Sequence, residues 1–227
     1  MCAARHSQAG DAELLTDPDE IARKEAANGL EQADLVQKLI AMCVADGRPF
    51  KLRPSTVLSL HRAALNGISK YAGNWWPADV KIAESAHQPP GAYLVPELIE
   101  KMCDYVNENW KKAAPVHLAV YVMWRLNWIH PFTDGNGRTA RAVSYLVLSS
   151  AAGMLLPGDK TIPEQIISNC SPYYKALEVA DEADLRGGIE VAELEKMMAS
   201  MLATQLLSVV EVATGAKKSG KSDVQTP

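Results

Sequence analysis

The chain has 227 residues, of which 48% are apolar, and 27 acidic against 23 basic side chains leave a net charge of -4. That length suits one domain with a sizeable core, and the absence of a basic run beyond the short stretch Lys217 to Lys221 argues against a nucleic-acid platform. The most apolar stretch, Val116 to Ile129, is interrupted by His117 and Arg125 and is too short to span a bilayer, and the start of the chain lacks the apolar core of a signal peptide. A cytoplasmic protein is expected, with no membrane partner. Cys2, Cys43, Cys103 and Cys170 lie far apart, with no CxxC pair or zinc spacing, and read as ordinary thiols in a reducing compartment.

Residues 1–15 are small and polar and are expected to be disordered, as is the tail 213–227; residues 16–212 form the expected single domain. The run Thr16-Asp-Pro-Asp19 resembles a capping box and opens a helix through Ile21 to Leu30 and on to the periodic Leu35, Leu39 and Met42. Pro54-Ser55 starts another, with Val57, Leu60, His61, Ala64, Leu65 and Ile68 on one face. Between Gly73 and Pro96 the helical pattern breaks at Trp75-Trp-Pro77, the short run Val80-Lys-Ile82 and Gln88-Pro-Pro-Gly91, which predicts a small hairpin or flap. A helix from Leu94 through Val106 follows. Beyond Pro115 comes a helix apolar all round, Val116 to Ile129, which should be central. Further helices are expected over Arg138 to Ala152, Ile162 to Ala180 and Val191 to Val212. The fold class is therefore all-α with one small β element.

The chemistry gathers in the unbroken string His130-Pro-Phe-Thr-Asp-Gly-Asn-Gly-Arg-Thr-Ala-Arg141. His130 stands at the end of the buried helix, before a proline that disfavours helical geometry in its predecessor, so the helix stops there and leaves an imidazole at the lip of the core. Such a group can take a proton from a hydroxyl at ordinary pH. Asp134-Gly-Asn-Gly-Arg138 is a turn of residues that tolerate positive φ and lead straight into a helix, so its amides and the helix N-terminus form an anion nest. Arg138 and Arg141, three apart on the first turns, project on one side and are expected to converge on one anion. Asp134 is the string's only carboxylate and is the natural Mg²⁺ ligand, with phosphate oxygens and water completing the shell. His61, His87 and His117 read as satisfied core histidines, Trp124 and Trp128 as core, and Met197, Met198 and Met201 as bundle packing.

Taken whole, the string resembles the Fic family pattern His-x-Phe-x-Asp/Glu-Gly-Asn-Gly-Arg-x-x-Arg at every position, and the likeness extends over roughly residues 20 to 200. The resemblance implies a Fic-type helical bundle with a β-hairpin flap and a protein adenylyltransferase that moves AMP from Mg-ATP to a Ser, Thr or Tyr hydroxyl of a target protein, releasing pyrophosphate. It implies His130 as general base, Asp134 as Mg²⁺ ligand, Asn136 with the Gly135 and Gly137 backbone as an anion hole for the α- and β-phosphates, and Arg138 and Arg141 on the β- and γ-phosphates. Phe132 would anchor the loop. Tyr173 and Tyr174 would border the adenine pocket, near Asp181, and Val80, Lys81 and Ile82 would form the flap edge that receives a target by strand addition. Removal of AMP, phosphotransfer, and a non-catalytic nucleotide-sensing module are the alternatives. Many Fic proteins are restrained by a helix carrying Ser/Thr-x-x-x-Glu-Gly/Asn, whose glutamate pairs with the second motif arginine, here Arg141. In this chain the corresponding stretch reads Lys24-Glu-Ala-Ala-Asn28-Gly29, so the usual clamp is expected to be missing and any restraint to come from a separate inhibitory protein, unless Glu25 or Glu31 reaches Arg141 from another register.

Overall fold

The computed structural model describes residues 7–8, 13–45, 50–78, 81–82 and 87–214. Among them eight α-helices carry nearly all of the regular structure. The first, α1 (Pro18–Ala45), is capped by Asp17, whose Oδ1 accepts the amides of Asp19 and Glu20 at 2.9 Å each, so the cap falls one residue later than the Thr16 reading. It buries Asn28, Gln32, Val36 and Ile40 at a spacing of four, and its two amides are spent on the neighbouring helix α2 (Pro54–Leu65). Asn28 Nδ2 donates to the carbonyls of Ala64 and Asn66, and Gln32 Nε2 donates to Leu60. These bonds, rather than an apolar stripe alone, set the register of α1 on α2.

The helices α3 (Val95–Asn109), α4 (Pro115–Ile129) and α5 (Asn136–Ala151) form the centre. Each of α3 and α4 starts with proline in its first turn, where the missing N–H removes no helical bond. As its composition predicts, α4 is enclosed on nearly every side: Leu118 through Trp124, then Leu126 and Ile129, are all buried. Ser144 on α5 donates to the Ala119 carbonyl at 2.8 Å, a close approach that small side chains permit. The expected single helix over Ile162 to Ala180 is two, α6 (Ile162–Ser168) and α7 (Cys170–Asp184), broken at Asn169, whose backbone is extended at φ -147° and ψ 77°. A long C-terminal helix, α8 (Ala192–Ala213), closes the bundle. No helix among the described residues is long and apolar enough to cross a membrane.

The β element differs from expectation. Lys81–Ile82 (β2) does form a strand, but it pairs antiparallel with Ser7–Gln8 (β1), in the register Ser7 to Ile82 and Gln8 to Lys81. Among the described residues the hairpin within 73–96 is not seen, and Val80 lies outside them. A second pairing joins Glu13 to Ser69, with the Leu14 amide on the Ile68 carbonyl at 2.8 Å. Part of the stretch expected to be disordered is thus placed against the body, while residues 215–227 lie outside the described set. The cysteine reading needs correction too: Cys43 and Cys103 are free, but Cys170 is disulfide-bonded. A bridge between positions far apart in sequence leaves no spacing signature, so nothing in the cysteine pattern announced it.

Candidate active site

The string His130 to Arg141 spans the end of α4, a tight loop and the first turns of α5. His130 caps α4 in the left-handed region, φ 50° and ψ 57°, and is the one non-glycine with positive φ among the described residues. That conformation is costly for a side chain bearing a Cβ and persists only where packing over-determines it. The residue is 7% exposed, and its Nδ1 faces the Asn127 carbonyl at 3.4 Å. With Nδ1–H directed at a carbonyl, the basic lone pair falls on Nε2. Burial lowers the His130 pKa to about 4, an effect only partly offset by the Asn127 carbonyl, so the imidazole is neutral near pH 7.

Three contacts hold the loop. Asn136 binds both ends of one peptide unit, accepting the Phe132 amide at 3.0 Å and donating to the Phe132 carbonyl at 2.9 Å. Its side-chain amide is thereby committed to bracing the loop. Phe132 is buried and stacks on His61, ring centroids 3.6 Å apart and nearly parallel. His61 in turn accepts the Gly73 amide on Nδ1 at 3.0 Å, which makes Nε2–H the donor to the Asp134 carbonyl at 3.1 Å. Fully buried, its pKa is depressed to about 4 by desolvation. It is a satisfied core histidine as expected, and it is also the prop beneath the loop, a role its place in an apolar stripe on α2 could not disclose.

Gly135, at φ 74°, is the turn that this arrangement requires. A Cβ there would lie 2.4 Å from Leu65 Cδ2 and 3.4 Å from His61 Cδ2, so both conformation and space demand glycine. The first helical bond of α5 runs from the Thr139 amide to the Gly135 carbonyl. The amides just ahead of Thr139 have no helical partner and sit at the positive end of the α5 dipole.

The two arginines do not converge. Arg141 lines a cleft with His130, Gly137, Asn127, Tyr173 and Tyr174, and Ile82, His87, Leu177 and Asp181 complete its wall. Burial presses the Arg141 pKa downward from its ordinary value, opposed by Tyr173 and Tyr174, yet a guanidinium stays charged under such pressure. Among the described residues no carboxylate pairs with it. Arg138 instead holds two: Nη1 donates to Glu25 Oε1 at 2.8 Å and Nη2 to Asp134 Oδ2 at 2.6 Å. Glu25 therefore reaches the first motif arginine and not the second, while Glu31 is exposed on α1. Asn28, where the clamp pattern would put its glutamate, is buried against the end of α2.

Asp134 is half-exposed at the loop's mouth, and only its Oδ2 is taken. One open carboxylate oxygen beside an anion nest fits a magnesium ion whose other ligands are phosphate oxygens and water, since that ion keeps most of its shell outside the protein. No cluster of three or more His, Cys, Asp or Glu that could cage a metal occurs among the described residues. On α7, Tyr173 is buried with its hydroxyl accepting Asn127 Nδ2 at 2.8 Å, and Tyr174 lies beside it, centroids 5.6 Å apart. Asp181 accepts the Trp124 indole N–H at 2.8 Å. His87, expected in the core, lines the cleft: its Nε2 meets the Trp128 carbonyl at 2.7 Å and its Nδ1 lies 3.8 Å from Asp181. His117 is satisfied by Tyr105 and Glu195.

A helical bundle whose central helix ends in a histidine of left-handed backbone, followed at once by an anion nest and a partly buried arginine, agrees with the layout that the resemblance to the Fic family implies. Residues 51–148 match the family model described as Fic/DOC family. Over 177 residues, 78% of this chain, it is 30% identical to "Protein adenylyltransferase Fic" of Drosophila persimilis and 29% identical to the protein of that name in Drosophila willistoni, covering 31% and 32% of those proteins. The chain thus spans about a third of the length of these relatives. Solved structures with the same fold include a Fic family protein from Desulfovibrio desulfuricans (TM-score 0.58, 20% identity, 92% of this chain and 57% of the other). Fic-1 from C. elegans is also similar (TM-score 0.63, 20% identity, 91% and 56%).

Proposed function

We propose that this chain is a protein adenylyltransferase, which transfers AMP from Mg-ATP to a hydroxyl of a protein. The observation that carries the reading is the pairing, in one cleft, of a neutral buried imidazole with a partly buried guanidinium that no carboxylate among the described residues neutralises. A cation left uncompensated in a desolvated place is costly unless an anionic ligand completes it, and the loop between the two groups supplies backbone N–H donors for phosphate. The relatives named above bear the activity in their names.

In this scheme the acceptor hydroxyl gives its proton to His130 Nε2 as its oxygen bonds to the α-phosphorus; the bond from that phosphorus to the bridging oxygen breaks and pyrophosphate leaves. Arg141 and the leading amides of α5 hold the phosphates, Tyr173 and Tyr174 flank the base, and Asp134 would hold magnesium, which would supply charge compensation for the leaving group. Arg138 contributes to the distal phosphates only when Glu25 lets it go. Incubation with ATP labelled at the α or at the γ position tests the reaction. Protein-bound label is expected from the α position alone, and it should vanish in His130→Ala while Mg-ATP affinity, read by calorimetry, stays within a few-fold. Label from the γ position would make the chain a phosphotransferase. Retained transfer in His130→Ala would remove the base assignment.

A further inference from the structure

The C-terminal half of α8 is built inside out. Its buried positions there are polar: Gln205 is 0% and Ser208 1% exposed. Gln205 Nε2 donates to the Tyr145 hydroxyl at 2.9 Å and to the Leu156 carbonyl at 3.2 Å, and its Oε1 accepts the Ile162 amide at 3.1 Å. Ser208 Oγ accepts the Asp159 amide at 3.3 Å. The apolar side chains face outward instead, with Leu206 40%, Leu207 60% and Val210 53% exposed. These hydrogen bonds fix which side of the helix is inward, because turning it to bury the leucines would strand buried polar groups. Neighbouring apolar side chains left outward in this way mark an interaction surface.

The outward positions have a regular spacing. Ala199, Ala203, Leu206, Val210 and Ala213 follow one another at intervals of four and three residues, and all are exposed, which is the seam of a two-helix coiled coil. Three alanines in such a seam need larger side chains opposite them. If the seam pairs antiparallel with its own copy, Ala203 meets Leu206 of the second copy and Ala199 meets its Val210, a small side chain against a large one in each layer. Parallel pairing would set alanine on alanine and leave gaps. From Met197 to Val210 no side chain is charged. Two copies therefore meet without like-charge repulsion, and that stretch offers none of the Lys or Arg with which a surface helix grips an anionic membrane.

We infer that this face is a homodimer interface, in which α8 lies antiparallel on α8 of a second copy, the two-fold axis level with Thr204 and Gln205. One helix pair is at the small end of specific interfaces, so the dimer is a reversible one. Its formation is independent of AMP transfer.

Sedimentation equilibrium on the full chain tests the pairing, and the mass should rise from one copy to two between about 1 and about 300 µM. Association should weaken by about 30-fold or more in Leu206→Glu and in Val210→Glu. Both changes fall at exposed positions, so the dilute variants should melt with the wild type. Under oxidation a chain carrying both Ala199→Cys and Val210→Cys should give a covalent dimer well above the wild-type background, and Ala199→Cys alone should not. A chain that stays monomeric throughout, a dimer that the charged variants leave intact, or cross-linking by Ala199→Cys alone overturns the inference.

Discussion

Arg138 and Arg141 lie three residues apart and end in opposite electrostatic company. Their spacing gives the direction in which each side chain leaves the helix, but where the guanidinium settles depends on a glutamate 113 positions upstream. That contact is invisible to any local pattern, which is why convergence on one anion looked natural. Glu25 and Arg138 are both partly exposed, so the pair is worth about 0.2–1 kcal/mol. Glu25→Ala should therefore raise AMP transfer by no more than about five-fold; a gain of two orders of magnitude would show a true clamp on the site. The two depressed histidines set the acid response. In the unfolded chain His61 and His130 take up protons below about pH 6.5, whereas in the fold they resist until about pH 4. The unfolded state binds more protons in that window, so stability falls as pH is lowered through it, by about 1.4 kcal/mol per pH unit for each imidazole. Urea midpoints measured from about pH 7 to pH 4.5 should show the decline, and a flat profile would mean that the imidazoles titrate normally. AMP transfer should keep its plateau down to about pH 5, since the base stays deprotonated there.

At the scale of elements, the join between α4, the loop and α5 was the most legible part of the chain. A proline after an apolar helix, a glycine-bearing turn and a following helix are all local instructions, and α4 and α5 appear within two residues of where they were expected. The flap was half legible: the run Val80 to Ile82 signals a strand, yet a strand's partner is not a local property, and Ser7–Gln8 carries no β-branched or aromatic residue to announce itself. The loop's own weak point is Gly135. Gly135→Ala adds a Cβ into Leu65 and forces a non-glycine residue to φ 74°, a strain of about 1–3 kcal/mol. Since the turn gives way more easily than the core around Leu65, the expected result is a displaced nest: Mg-ATP affinity down about ten-fold or more, with a smaller loss of melting temperature. An unchanged affinity would show that the nest does not hold the phosphates.

Across the whole molecule, the helix that ends in His130 is enclosed on nearly every side, and α5 leads from the phosphate loop along its flank. Amides along such a helix cannot reach solvent by local fraying and must exchange through global opening. A ligand that binds only the folded chain slows global opening everywhere by the same factor, about 100-fold at a concentration 100 times its Kd. The slow-exchanging amides of Val120 to Leu126 should therefore report nucleotide binding at a distance, their deuterium uptake retarded by Mg-ATP although no atom of that stretch meets the phosphates. If α4 instead exchanged at its own rate, untouched by nucleotide, its core would be opening independently of the site.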